Sequence, residues 1–225
     1  MIIKPPIEWM RTHGANVRVV VLDNGWSKDD NIRLCGKRNF VTHSSNEGAH
    51  GQHILRVIGC TNPVTPGIAF KASLYCGKVV TKSHTLDPLV NGLKWALELR
   101  AQVLNMSLAC GPLPDKAIRL LNELGSMGAL IFAPVPHEYD LHGLITPPSV
   151  IPVCELGRSH VAIGASDHSI IDPAIRGPSV STAILSGVAA CAKAYDATID
   201  RTRFLEELRK QAPQGTTDHG LRMAT

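Results

Sequence analysis

Short apolar runs alternate with amphipathic segments along most of this 225-residue chain. The runs are rich in Val, Ile and Leu, as expected of strands buried on both faces of a sheet. They lie at residues 17–22, 72–80, 101–108, 129–135 and 149–153. Helical patterns lie at residues 51–60, 85–100, 113–128, 176–190 and 199–213, whereas residues 24–49 are predicted to be loop. This order predicts an α/β fold, a three-layer sandwich in which a mostly parallel central sheet carries helices on both faces.

The composition fits one globular domain spanning residues 1–225. Hydrophobic residues make up 44% and charged residues 19%, which argues against disorder. The net charge is only +4, and the basic residues are not interleaved with aromatic ones. We therefore expect no nucleic-acid partner. No apolar run approaches the ~18 residues of a membrane span, so no membrane partner is expected either.

The cysteines indicate the compartment. The chain has six cysteines, with no CxxC pair and no histidine at zinc-finger spacing. A structural zinc site is therefore not expected. Most of the cysteines lie in apolar runs, where Cys behaves as a small hydrophobic residue. Free thiols, together with an N-terminus too polar for a signal peptide, predict a cytoplasmic location.

Three polar residues stand where parallel sheets gather their functional groups, at strand ends and helix starts. Asp23 ends the first strand, His50 opens a helix, and Ser179 opens the helix that follows a Gly-Pro pair. Each has an ordinary alternative, as a turn residue, a helix-start histidine and a helix cap. Together, in the order Asp, His, Ser, they match one chain order of the catalytic triad, in which a carboxylate orients the imidazole that deprotonates serine.

The motifs around these residues resemble those of the subtilisin-like serine proteases. VRVVVLDNG (17–25) is similar to the family's strand ending in Asp-Thr/Ser-Gly, and GAHGQHILRVIG (48–59) to its His-Gly-Thr-His-Val-Ala-Gly motif. GPSVSTAILSGVAA (177–190) resembles Gly-Thr-Ser-Met-Ala-x-Pro-x-Val-Ala-Gly. Three further stretches match in the same order, namely GIAFKASLYCGKVV, VNGLKWALELRAQVLNMSL and PPSVIPV. The resemblance implies a catalytic triad of Asp23, His50 and Ser179, and a structural role for His53.

The resemblance also implies a way of binding a peptide or protein substrate. The substrate would lie extended and pair through main-chain hydrogen bonds, as an added strand does. One edge of that groove would be formed by Ser107, Leu108 and Ala109, and the outer edge by residues 81–84. The backbone N–H of Ser179, at a helix start, would donate to the oxyanion.

Two departures from the family pattern concern the oxyanion site and the calcium loop. The family's second oxyanion donor is an asparagine, and the aligned position here is His137, in GALIFAPVPHEYD. Either His137 supplies the donor or it is a loop residue beside a weaker oxyanion hole, and the sequence leaves both open. The loop TNPVTPGIAF (61–70) lacks the oxygen ligands of the family's calcium loop. We expect no metal there and no cofactor elsewhere.

Two functional hypotheses result. The first is a serine endopeptidase that acts through Ser179 on a narrow substrate, such as a specific peptide precursor, and that is restrained by this selectivity or by a parent assembly. The alternative is a catalytically weak or inactive subtilisin-fold domain that binds peptides or serves as a scaffold. The change at His137 motivates the alternative, whereas the retention of Asp23, His50 and Ser179 favours the enzyme, because triad members act as a unit.

Overall fold

The computed structural model describes residues 5–41, 48–80, 86–108, 112–135, 147–155, 163–165 and 176–211. Within these residues the centre of the molecule is a sheet of seven strands in the order β2-β3-β1-β4-β5-β6-β7. Every neighbouring pair is parallel. The strands are β1 (Arg18–Asp23), β2 (Leu34–Asn39), β3 (Ser73–Lys78), β4 (Val103–Asn105), β5 (Leu130–Pro134), β6 (Val150–Glu155) and β7 (Ile163–Ala165).

Helices cover both faces of this sheet and bury two separate apolar clusters. The helices are α1 (Ile7–Met10), α2 (Ala49–Gly59), α3 (Asp87–Glu98), α4 (Asp115–Ser126), α5 (Pro178–Tyr195) and α6 (Arg201–Lys210). One cluster joins α1, α2, α5 and α6 to the sheet, and the other joins α3 and α4 to the opposite face. The predicted three-layer α/β fold is therefore confirmed. No helix in the described ranges is long and apolar enough to cross a membrane.

Helix α5 is the most buried of these helices, and its sequence explains why. Every residue from Val180 to Lys193 is buried, because small and apolar side chains surround the whole helix. At Gly187 a Cβ atom would come within 2.8 Å of the Ile68 side chain, so the neighbouring loop packs directly on the helix backbone. This close packing fixes where the start of α5 lies.

Three elements were not predicted from the sequence. Residues 24–49 were expected to be loop, but β2 lies within them and pairs with β3. Strand β2 is an edge strand with the sequence LCGKRN, and most of its residues are exposed, so it lacks the apolar signal of the inner strands. The other two elements, α1 and β7, have four and three residues and are too short to show a period.

Candidate active site

Asp23 lies at the carboxyl end of β1, near the middle of the sheet, and its exposure is 1%. Its Oδ1 lies 2.8 Å from Nδ1 of His50 and accepts a hydrogen bond from the backbone N–H of Asn24 at 2.6 Å. Its Oδ2 is buried, and no described residue donates to it. A buried carboxylate is stable only when it is paired, so the contact with His50 is part of what keeps Asp23 in place.

His50 is the second residue of α2, and its side chain is 44% exposed. The hydrogen bond with Asp23 raises the pKa of His50 above its usual range, the charge of Asp23 adds to the rise, and burial opposes it. Because a carboxylate only accepts hydrogen bonds, the 2.8 Å contact assigns the ring hydrogen to Nδ1. The other ring nitrogen, Nε2, then has the lone pair that a general base needs.

Ser179 is the second residue of α5, and its side chain does not cap the helix. Gly177 holds the N-cap position at φ 123°, a conformation open to glycine, and no side chain caps α5. The interpretation of Ser179 as a helix cap is therefore wrong. Its Oγ instead donates to the carbonyl of Ser107 at 3.2 Å, while Oγ of Ser107 donates to the carbonyl of Ser179 at 3.0 Å.

The structure brings two of the three predicted triad residues into direct contact. Asp23 and His50 are joined, and Ser179 is tied to Ser107, which follows β4 beside β1 at the same carboxyl edge. Among the described residues, no hydrogen bond links Ser179 to His50. The link between nucleophile and base therefore stays a prediction.

The predicted substrate edge is described only in part. Ser107 is buried and Leu108 is half-buried at this end of the sheet. Ala109, the outer edge at residues 81–84 and the oxyanion candidate His137 lie outside the described residues. Their roles stay predictions.

Sequence reasoning missed a buried polar network that joins β4 to the middle of α5 and continues along the helix to its first residue. Asn105 is fully buried, and its Nδ2 donates to Oγ of Ser186 at 3.0 Å. Oγ of Ser186 donates to the carbonyl of Thr182 at 2.8 Å, and Oγ1 of Thr182 donates to the carbonyl of Pro178 at 2.7 Å. Two hydroxyl residues four positions apart in an apolar helix are the sequence signal that could have revealed it.

The described residues show no metal-binding arrangement. Among them, no group of three His, Cys, Asp or Glu side chains could hold a metal ion. The expectation of no calcium site in residues 61–70 stays a prediction.

Comparison with known proteins gives several relatives that are named subtilisins or other proteases. No family model matches the chain. Subtilisin E of Bacillus subtilis is 32% identical over 135 residues, which cover 56% of this chain and 35% of that protein. Minor extracellular protease Epr, also of Bacillus subtilis, is 30% identical over 129 residues, with coverages of 53% and 20%. A thermostable alkaline protease of Halalkalibacterium halodurans is 32% identical over 103 residues, with coverages of 42% and 28%.

The parallel sheet with helices on both faces, taken with these matches, defines a subtilisin-like α/β fold. The chain is accordingly related to the subtilisin-like serine proteases, which confirms the resemblance read from its motifs. The match covers about a third or less of the length of these relatives. The activity of this chain is therefore a separate question.

Proposed function

We propose that this chain is a serine endopeptidase that cleaves a peptide or protein substrate through an acyl-enzyme on Ser179. The observation that carries the proposal is the 2.8 Å contact between His50 Nδ1 and the buried Asp23. This contact orients an imidazole as a base at the same edge of the sheet as a helix-borne serine. The names of the relatives, which are subtilisins and other proteases, support the same reaction class.

The reaction would begin with a change of partner for the Ser179 hydroxyl. The hydroxyl would break its hydrogen bond to the carbonyl of Ser107 and pass its proton to Nε2 of His50 as Oγ attacks the scissile carbonyl. The freed carbonyl of Ser107 could then accept a backbone N–H of an extended substrate. His50 would return the proton to the leaving amine, and water would release the acyl group by the same route.

The oxyanion would be stabilised at the start of α5. The backbone N–H of Ser179 lies in the first turn, where N–H groups have no partner within the helix. It would donate to the developing negative charge, as in other preorganised oxyanion sites. His137 is the sequence's candidate for a second donor.

The substrate class and location are narrower proposals. We infer a specific peptide precursor as substrate, that precursor or a parent assembly as partner, and the cytoplasm as the compartment. Five cysteines in the described part of the chain are free thiols, four of them buried, which is compatible with a reducing compartment. One relative is named an extracellular protease, so cell fractionation is the direct measurement of location.

A fluorophosphonate probe tests the proposed function. We expect covalent labelling at Ser179, identified by mass spectrometry of peptides, because an activated serine attacks phosphorus as it attacks a carbonyl. Labelling should disappear in Ser179→Ala and in His50→Ala. Ser126→Ala is the matched control: the exposed Ser126 hydroxyl donates to the carbonyl of Glu123 in α4, so its removal should leave labelling unchanged.

The same experiment decides between the two functional hypotheses. The relatives give no support to a catalytically inactive peptide-binding domain. If the folded wild-type protein is not labelled at any pH between 6 and 9, the endopeptidase proposal fails and the binding role becomes the better account. Circular dichroism of each variant shows whether a loss of labelling reflects unfolding.

A further inference from the structure

Asn24, directly after Asp23, bonds both to Asp23 and to the residue that follows His50. Its backbone N–H donates to Oδ1 of Asp23 at 2.6 Å. Its side-chain Oδ1 accepts the backbone N–H of Gly51, the residue after His50, at 2.8 Å. One residue therefore holds the carboxylate and also the helical turn that carries the imidazole.

The start of α2 needs an acceptor from elsewhere in the chain. Its N-cap residue is Gly48, at φ 73°, which has no side chain to bond the exposed N–H groups of the first turn. Gly51 is the third helical residue, and its N–H is the one that an N-cap side chain usually binds. Asn24, 27 positions away from Gly51, takes over this role.

The end of β1 and the first turn of α2 are in close backbone contact. A Cβ atom at Gly51 would lie 2.2 Å from the carbonyl oxygen of Gly25 and 3.1 Å from Cβ of Asp23. The Asn24–Gly51 hydrogen bond spans this contact. Any loosening of that bond lets the turn that bears His50 move relative to Asp23.

Among the described residues, the carboxylate of Asp23 has few other hydrogen bonds that fix its orientation relative to His50. Its Oδ2 receives no hydrogen bond from a described residue, so within the described part of the chain the carboxylate is held through Oδ1. The two groups at Oδ1 are the Asn24 N–H and the His50 ring. The orientation of the imidazole therefore depends on how the strand end and the helix are joined.

The rest of α2 is anchored independently of Asn24. Gln52 accepts from the N–H of Ser27 and donates to Asp29, both at 3.0 Å, and Arg56 pairs with Asp29 at 3.0 Å. Loss of the Asn24 amide should therefore loosen the first turn and leave the remainder of the helix in place.

We propose that Asn24 is a positioning residue that sets the geometry of His50 against Asp23 by capping α2 from the end of β1. The proposal rests on the proposed function, in which His50 is the base. The neutral amide accepts the Gly51 N–H without adding a second negative charge beside the imidazole. The family's Thr or Ser at this position has a shorter side chain with no amide.

The test compares Asn24→Ala and Asn24→Asp with the wild type. In Asn24→Ala we expect the alkaline plateau of fluorophosphonate labelling to fall about tenfold, since a displacement of about 1 Å can cost ~10²-fold. We also expect the pKa of His50, followed by NMR of the ring, to move down towards its ordinary value because the Asp23 contact weakens.

Asn24→Asp keeps an acceptor for Gly51 near a helix N-terminus. The alkaline plateau of its labelling rate should therefore lie within about threefold of wild type, and the pKa of His50 should not be lowered.

Asp200→Ala is the matched control for loss of a cap. Asp200 is the N-cap of α6, and its carboxylate accepts the N–H of Arg203, again the third helical residue, at 2.9 Å. We expect the midpoint of thermal unfolding to fall by a similar ~2–4 °C in this variant and in Asn24→Ala. Only Asn24→Ala should change the labelling rate and the His50 pKa.

The outcomes separate the two proposals. If the wild type is labelled and Asn24→Ala matches it in plateau rate and His50 pKa, the positioning role is overturned and the proposed function stands. If the wild type is not labelled, the proposed function fails, and the NMR titration still decides whether Asn24 sets the Asp23–His50 contact. Should Asn24→Ala not fold, Asn24→Gly keeps a turn-forming residue, withdraws the acceptor from Gly51 and carries the same expectations.

Discussion

The two halves of the candidate site are built in different ways. The acid–base half, Asp23 and His50, is joined by a side-chain contact between a strand end and the next helix of the described chain. The nucleophile half, Ser179 and Ser107, is joined through backbone carbonyls between two distant segments. In the first half the two side chains meet directly, whereas in the second the proposed reaction requires the Ser179 hydroxyl to change partner.

Because of this difference, we expect changes in the two halves to affect different measured quantities. Residues around Asp23 and His50 set the orientation and protonation of the base, so changes there should appear in reaction rate and pH dependence. Helix α5, which carries Ser179, is joined to β4 by Asn105 and Ser186, and Thr182 continues this buried network to the helix start. Changes in that network should appear first in the free energy of unfolding.

Asp23→Asn should produce the largest effect on the acid–base half. The amide can hold the imidazole in the wrong tautomer, and the corresponding change in a well-studied serine protease lowers kcat by about 10⁴-fold. We expect a fall of the same order in the rate of fluorophosphonate labelling at Ser179. The measurement is the second-order labelling rate at the alkaline plateau.

A matched acid-to-amide change shows whether this loss is local. Asp196→Asn alters an acid that pairs with Arg203 near α6, and its labelling rate should equal that of the wild type. A fall of less than tenfold in Asp23→Asn would mean that His50 is not oriented by Asp23 in the reaction. The comparison between the two halves would then lose its basis.

Ser186→Ala should produce the next largest effect, and it should fall on stability. The change leaves Nδ2 of the fully buried Asn105 without its 3.0 Å partner. An unsatisfied buried donor costs about 1–3 kcal/mol, which we expect as the loss in free energy of unfolding from urea titrations. Ser149→Ala, which removes an exposed hydroxyl bonded to Asn122, should cost less than about 0.5 kcal/mol.

The labelling rate of Ser186→Ala refines the comparison further. If the network acts only on stability, the folded variant is labelled at the wild-type rate. A large drop in rate with little loss of stability would instead place this network among the determinants of Ser179 geometry. The division between the two halves would then be wrong.

The sequence predicted the inner parts of the fold because burial on both faces leaves an apolar signal. Strand β1, RVVVLD, lies between two neighbouring strands, and its apolar residues are buried. Its position can therefore be predicted from the local run of apolar residues. Strand β2 has a free edge and exposed, polar residues, which a local pattern cannot distinguish from loop. Its assignment depends on pairing with β3, a contact that no local sequence window contains.

The candidate site was predictable to the extent that its residues sit at element ends. Asp23 and His50 are predicted as site residues because they lie at element ends, and the structure joins them by a hydrogen bond. Ser179 was placed near the start of its helix, but the capping interpretation failed because Gly177 holds the N-cap. Its partner, Ser107, is 72 positions away, and Asn105 and Ser186 are 81 apart, so only the folded sheet brings these pairs together.

The pH dependence of His50 gives the smallest effect and probes the acid–base half alone. The base must be neutral, so labelling should rise with pH through a midpoint above the ordinary histidine value of about 6.5, because the Asp23 hydrogen bond raises the pKa of His50.

A raised pKa in the folded protein also means that protonation of His50 stabilises the fold below the unfolded pKa, and that this stabilisation is lost as pH rises through the folded pKa. Solvent screening of the half-exposed ring should keep it below about 1 kcal/mol. Ser186→Ala should leave the labelling midpoint unchanged, whereas a wild-type midpoint at or below 6.5 would show that Asp23 does not favour the imidazolium form.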